Sequence, residues 1–200
     1  TTATLSTGSA ALSGVASGDT VTLSVASAAG AFASKTIGTG KTVTVSGLTI
    51  AGADSGNYSL TQPTTTANIT VATLTVTGVT ANNKVYDGNT TASLNVSSAA
   101  LVGVVAGDAV TLNTGAAAGT FADAAIGTAK AVTISGLTIS DADASNYTLT
   151  QPNTTANILN NAPTLAAISA VTILEDAPPQ TVNLSGITAG AGPNNDGGQT

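Results

Sequence analysis

Apolar residues alternate with threonine and serine over short runs of this chain, as at Val43 and Val45 and again at Leu48 and Ile50. A period of two with one apolar face is the signature of a half-buried strand. Between the two runs the phase slips at Gly47. A one-residue slip turns every later side chain to the opposite face, so Gly47 is expected in a bulge or sharp bend. The polar turn Asp54-Ser55-Gly56-Asn57 then leads into a new alternating run, Tyr58-Ser59-Leu60. The whole pattern returns over residues 132–158, with Gly136 in the place of Gly47 and residues 143–149 in that of 54–60. Alternation predicts further strands near residues 73–80, 84–86, 91–95, 109–113, 118–121, 130–139, 146–150 and 154–158. Turns are expected at Asp87-Gly88, Gly107-Asp108, Ser135-Gly136 and the Asp141-Ala142-Asp143 run. No window sustains an apolar period of 3.6, and β-branched residues are spread throughout, which predicts an all-β protein.

The recurrence extends well beyond one segment. Residues 1–69 align with 90–158 without a gap, and about two-thirds of the positions are identical. A repeat of about 90 residues is too long for a solenoid unit and matches an independent sandwich domain. The expected architecture is therefore a series of tandem Ig-like antiparallel β-sandwich domains joined by short linkers. Residues 73–89, TLTVTGVTANNKVYDGN, precede the second copy and have no counterpart before Thr1. Residues 1–71 are accordingly expected to form a partial repeat whose first strands lie outside the sequence, and residues 72–159 a complete one. Residues 160–200 read as a linker followed by the incomplete start of a third Ig-like or cadherin-like domain. About 40 residues is near the lower limit for a self-sufficient core, so that piece is expected to depend on a neighbouring chain.

Composition removes most chemistry. The 200 residues include no cysteine, histidine, methionine, tryptophan or arginine, only four lysines, and carry a formal charge of −6. A weakly charged acidic chain has nothing with which to neutralise phosphates, which argues against nucleic-acid binding. The longest apolar stretch, near residues 99–106, falls far short of the roughly 18 to 20 residues of a spanning helix, and no signal-peptide pattern opens the chain. Catalysis is opposed most directly. There is no histidine base, no cysteine nucleophile, no arginine to hold an oxyanion, and a single glutamate, Glu175.

Lys84-Val85-Tyr86-Asp87-Gly88-Asn89-Thr90-Thr91, followed by Gly107-Asp108, Phe121, Lys130 and Asn146-Tyr147-Thr148-Leu149-Thr150, resembles the YDG-type (MBG-related) repeat. Such repeats belong to very long bacterial surface proteins and filamentous-haemagglutinin-like adhesins. The resemblance covers residues 73–158 fully and 1–69 in part. Pro163, Glu175-Asp176-Ala177 and Val182-Asn183-Leu184-Ser185-Gly186 are similar to the start of an Ig-like or cadherin-like repeat from the same class. The family implies an extracellular, cell-surface stalk or spacer in an adhesin. Its partners would be neighbouring repeats of the same chain and a host or abiotic surface reached through domains elsewhere. Two other readings are open: a self-assembling filament or sheath subunit, joined to copies of itself by strand addition, and a calcium- or glycan-binding surface module.

Several residues invite a sharper reading. Asp54 and Tyr58, repeated as Asp143 and Tyr147, are similar to the tyrosine corner of immunoglobulin domains, with leucine in place of the second cysteine. Their expected role is structural, a phenol bonded to backbone that pins one turn. Asp141, Asp143 and Asn146 offer oxygens at close spacing, as calcium loops do, and Glu175 and Asp176 suit a domain-junction calcium site of cadherin-like modules. Against calcium, the loop lacks a closing glutamate, and the first copy has Gly52 where the second has Asp141. No cofactor other than such a calcium ion is expected. Tyr86-Asp87-Gly88 suits a glycan contact, yet Asp-Gly is by itself a strong hairpin signal. Lys41 and Lys130 recur before an alternating strand, but no matching buried acid accompanies them for an isopeptide crosslink.

Overall fold

The structure, a computed structural model, describes residues 1–161 and, beyond them, 167, 170, 172, 175, 176, 178, 179 and 181–183. Its regular elements are strands, apart from two single turns of 3-10 helix at Ser55–Asn57 and Ala144–Asn146. The first repeat holds β1 (Thr2–Ala3), β2 (Thr22–Ser24), β3 (Ala29–Phe32), β4 (Gly38–Ser46), β5 (Thr49–Ala51) and β6 (Thr64–Ile69). The second opens with β7 (Ala72–Thr77), β8 (Thr80–Ala81) and β9 (Lys84–Val85) and continues with β10 (Thr91–Ala92), β11 (Leu94–Asn95) and β12 (Ala100–Val102). It ends with β13 (Thr111–Asn113), β14 (Ala118–Phe121), β15 (Gly127–Ser135), β16 (Thr138–Ser140), β17 (Tyr147–Leu149) and β18 (Asn153–Leu159). Two compact units result: Thr1–Ala72 with Ala142–Thr148, and Thr73–Asp141 with the residues from Leu149 onward.

In the first unit an antiparallel sheet has the order β1-β3-β4-β6, and β2 pairs with β5. Alternation along β4 sends Val43 and Val45 inward, where both are buried. Gly47 has a φ of +76°, and a Cβ there would lie 2.1 Å from the carbonyl oxygen of Ser27. Only glycine fits such a corner. The chain therefore leaves one sheet after β4 and joins β2 through β5, and Gly136, at +79°, repeats the move between β15 and β16. The strand expected over residues 130–139 is accordingly two strands, as the phase slip implied.

The second unit builds a five-stranded sheet in the order β10-β14-β15-β18-β9, with β13 paired to β16, β11 to β8 and β12 to β7. Three features depart from the sequence reading. The last pair of the five-stranded sheet, β18 with β9, is parallel rather than antiparallel. A strand forms at Ala100–Val102, inside the apolar run that alternation did not mark. The opening strand stops at Thr77 and resumes as β8, because Gly78 takes a φ of +78° between them.

Among the described residues, two clusters of buried side chains form in the second unit. Ala92, Phe121, Val132, Ala156 and Ile158 form one, with Ala81, Leu94 and Tyr86 packed against it. Val76, Val79, Ile134 and Leu137 form the other. Leu74 has no exposure at all. The expected third domain over residues 160–200 lies largely outside the described residues.

Candidate functional site

The corner residues are held by their own neighbourhood. The 3-10 turn Ser55–Asn57 carries the chain from Asp54 to Tyr58. The Tyr58 hydroxyl donates to Asp19 Oδ2 at 2.7 Å and accepts from the Ala16 backbone N–H at 2.9 Å. Its bond to the Asp19 carboxylate pushes the phenol pKa above the ordinary value, since ionisation would place two anions together. Asp54 Oδ2 accepts from the Thr20 N–H at 2.8 Å. This is the chemistry of a pinned turn. In the second copy Tyr147 is buried and Asp143 is half-buried.

The residues weighed as calcium ligands meet protein donors. Within the first unit, Asp143 Oδ1 lies 2.8 Å from the Lys35 ammonium, and Asn146 Oδ1 accepts from the Ile37 N–H at 3.1 Å. Asp141 accepts a hydrogen bond from the Thr111 hydroxyl. An ammonium thus faces a carboxylate that a cation would need. Glu175 and Asp176 are exposed in a turn. Among the described residues, no group of three acidic, histidine or cysteine side chains is placed to hold a metal ion.

Each remaining lysine stabilises a loop. Lys84 Nζ bonds Asp87 Oδ1 at 2.7 Å, the Asn89 carbonyl at 2.6 Å and Asn89 Oδ1 at 2.9 Å, and it lies 5.6 Å above the Phe121 ring. The Tyr86-Asp87-Gly88 turn is therefore a lysine-clamped loop, with Tyr86 packed on the core. Lys84 and the Asn89 N–H hold the Asp87 carboxyl below its usual pKa. Lys130 meets Asp123 at 2.5 Å and lowers that carboxyl in the same way, helped by the Ala125 N–H. In the first copy Lys41 bonds Ser34 Oγ and both the carbonyl and hydroxyl of Thr36, each at 2.8 Å. The lysines that recur at 41 and 130 thus brace the loop before β4 and β15.

The first unit carries a concavity. A groove of about 380 Å³ runs along β4 and β6, lined by Leu5, Val43, Val45, Leu48, Pro63 and Ala67 among others. Alternation along residues 43–50 predicted an inward apolar face. It carried no signal that part of this face stays open.

Compared with known families, the chain matches the YDG domain over residues 1–67 and again over residues 70–156. No curated protein and no solved structure matches it.

Proposed function

Because the chain belongs to the YDG domain family, in two tandem copies, we propose that it is a non-enzymatic structural repeat region, a stalk or spacer, of a secreted bacterial cell-surface adhesin. The tandem match carries this reading. In it, residues 1–71 and 72–159 are successive Ig-like sandwich beads, and 160–200 lead into a further one. Its partners are the neighbouring beads and, through domains elsewhere in the protein, a host or abiotic surface. The side chains support a mechanical role. Lys41, Lys84 and Lys130 brace loops, and the corner around Tyr58 bonds Asp19 and Ala16. A stalk needs beads that hold their shape, and such contacts serve shape.

A surface-display experiment tests it. With residues 1–159 placed between a membrane anchor and an unrelated binding domain, ligand capture should persist when an unrelated sandwich pair of equal length replaces them. Capture that requires the YDG sequence itself would overturn the spacer reading. A second reading is a filament subunit joined to copies of itself by strand addition. Light scattering separates the two: a stable monomer at high concentration excludes self-assembly through this chain alone.

A further inference from the structure

The lysine-clamped loop of the second unit contains a chemically weak pair, Asp87-Gly88. In such a pair the glycine backbone nitrogen can attack the aspartate Cγ, because the following residue has no side chain to obstruct the approach. The N–Cγ bond forms, a Cγ–O bond breaks, and the carboxyl oxygen leaves as water with the acid and amide protons. The cyclic imide then takes up a water molecule. Opening at the carbonyl next to Cα leaves the chain running through Cγ, an isoaspartate with a free α-carboxylate. Nothing is oxidised or reduced, and water is the sole co-reactant.

Packing does not shield this pair. The Asp87 side chain is 47% exposed, and a Cβ on Gly88 would meet nothing within 4 Å. What opposes ring closure is the clamp. Lys84 Nζ lies 2.7 Å from Asp87 Oδ1, and the Asn89 N–H donates to the same oxygen at 3.1 Å, an Asx turn. Both donors favour the carboxylate and hold it below the ordinary pKa of 3.8. A carboxylate is a poor electrophile, since its oxygen leaves as water only after protonation. Ring closure must also break both bonds.

Lys84 is itself held in place. Its Nζ bonds the Asn89 carbonyl and Asn89 Oδ1, and the ammonium lies above the Phe121 ring. Lys84 pairs with Ile158 across β9 and β18, and Tyr86 N–H donates to the Leu159 carbonyl at 2.9 Å. On the far side of the loop Thr91 pairs with Thr120. The charge facing Asp87 therefore comes from a fixed frame.

We propose that Asp87-Gly88 is a modification site, an isoaspartate-forming pair that the Lys84 clamp keeps closed. Once the clamp is lost, conversion lengthens the backbone between β9 and β10 and moves the carboxylate away from the position that Lys84 and Asn89 hold. The inference concerns one loop of the second unit and stands whether the chain is a spacer or a filament subunit.

The test ages the full 200-residue chain at 37 °C and pH 5. Isoaspartate at position 87 is read by peptide mapping with electron-transfer fragmentation, which separates it from any formed at Asp196-Gly197. A synthetic peptide of residues 82–92 supplies the unclamped rate. Position 87 in the wild-type chain should convert at least about tenfold more slowly than in the peptide, and Lys84→Met should bring the rate to within about threefold of the peptide's. Circular dichroism checks that this variant stays folded. If it does not, the wild-type pH profile decides: conversion should be fastest at a lower pH than in the peptide, because the clamped carboxyl protonates later on acidification. Equal rates in the wild-type chain and the peptide would overturn the proposal. So would a folded Lys84→Met chain as slow as wild type, or a wild-type pH profile that coincides with the peptide's.

Discussion

The two repeats share a frame that runs from β1 to β6 in one and from β10 to β18 in the other, and about two-thirds of the aligned residues are identical. Their interiors differ. Phe121 is 1% exposed in the second repeat, whereas its counterpart Phe32 is half-buried. Local sequence is nearly the same at both sites, so propensity and turn chemistry do not account for the gap. The difference lies in residues 72–89, whose side chains fill the second core and whose backbone supplies partners for β11, β12 and β18. Strand formation in this fold is thus partly a tertiary effect. A segment such as 11–13 carries a strand-competent sequence, and it needs a partner to become one.

The largest expected effect comes from removing that filler. Leu74→Ala deletes a fully buried side chain and should destabilise the second unit by about 2–5 kcal/mol. Hydrogen exchange read by mass spectrometry would show residues 128–138 losing protection, with residues 39–49 unchanged. Equal loss in both repeats would break the comparison.

A matched pair of core truncations comes next. Ile134→Ala should cost about 2–5 kcal/mol, because the closed second core cannot relax around the cavity. Val45→Ala should cost less: fewer carbons are removed, and the site borders a groove already open to solvent. Denaturant midpoints of the two variants check the ranking.

Sequence pattern revealed the parts of this fold that are local. Gly47 and Gly136 stand where alternation changes phase, and each turns a corner because its neighbours' carbonyls leave no room for a Cβ. Asp54 and Tyr58 stood out in the sequence, and their side chains bond Thr20, Asp19 and Ala16. Non-local features were not legible. The parallel pairing of β9 with β18 joins residues 84 and 158, and nothing near either position encodes it. The oxygens of Asp143 and Asn146 looked like spare ligands in sequence, but Lys35 and Ile37, more than a hundred positions away, bond to them. Ala100–Val102 escaped notice because a run apolar on both faces shows no alternation.

A smaller effect concerns the bulge that the pairs β4–β6 and β15–β18 share. Register shifts between Gly38 and Lys41 and again between Gly127 and Lys130. At each bulge an asparagine side chain accepts the free backbone N–H, Asn68 from Gly40 and Asn157 from Ala129. Gly40 has a φ of +59° and Ala129 one of +49°. A left-handed conformation costs a non-glycine residue roughly 1–2 kcal/mol. Gly40→Ala should therefore destabilise the first unit by about 1 kcal/mol, while Ala129→Gly should be neutral or stabilise the second. Thermal unfolding of the two variants should shift in opposite directions, and a shared direction would show that the bulges are not equivalent.

The smallest expected effect is electrostatic and separates the repeats by pH. Asp123 bonds Lys130 and Asp87 bonds Lys84, and both carboxyls sit below the ordinary value of 3.8. A depressed folded pKa means stability that is present above about 3.8 and is lost as pH falls through the folded value. In the first repeat Ser34 stands at the position of Asp123. Acidification should therefore loosen the two lysine clamps of the second repeat. Both carboxylates are exposed, so the shift is modest and fades in high salt. Tyr58 acts at the other end of the scale. Its pKa is raised above 10.0 by Asp19, so the stability it lends the first repeat is complete below 10.0 and is lost as pH rises through the folded value. Exchange protection followed from pH 6 down to 3 should fall first in residues 128–138, and Asp87→Asn with Asp123→Asn should remove that lead. If the doubly substituted chain keeps it, the two lysine clamps are not what sets the acid response of the second repeat.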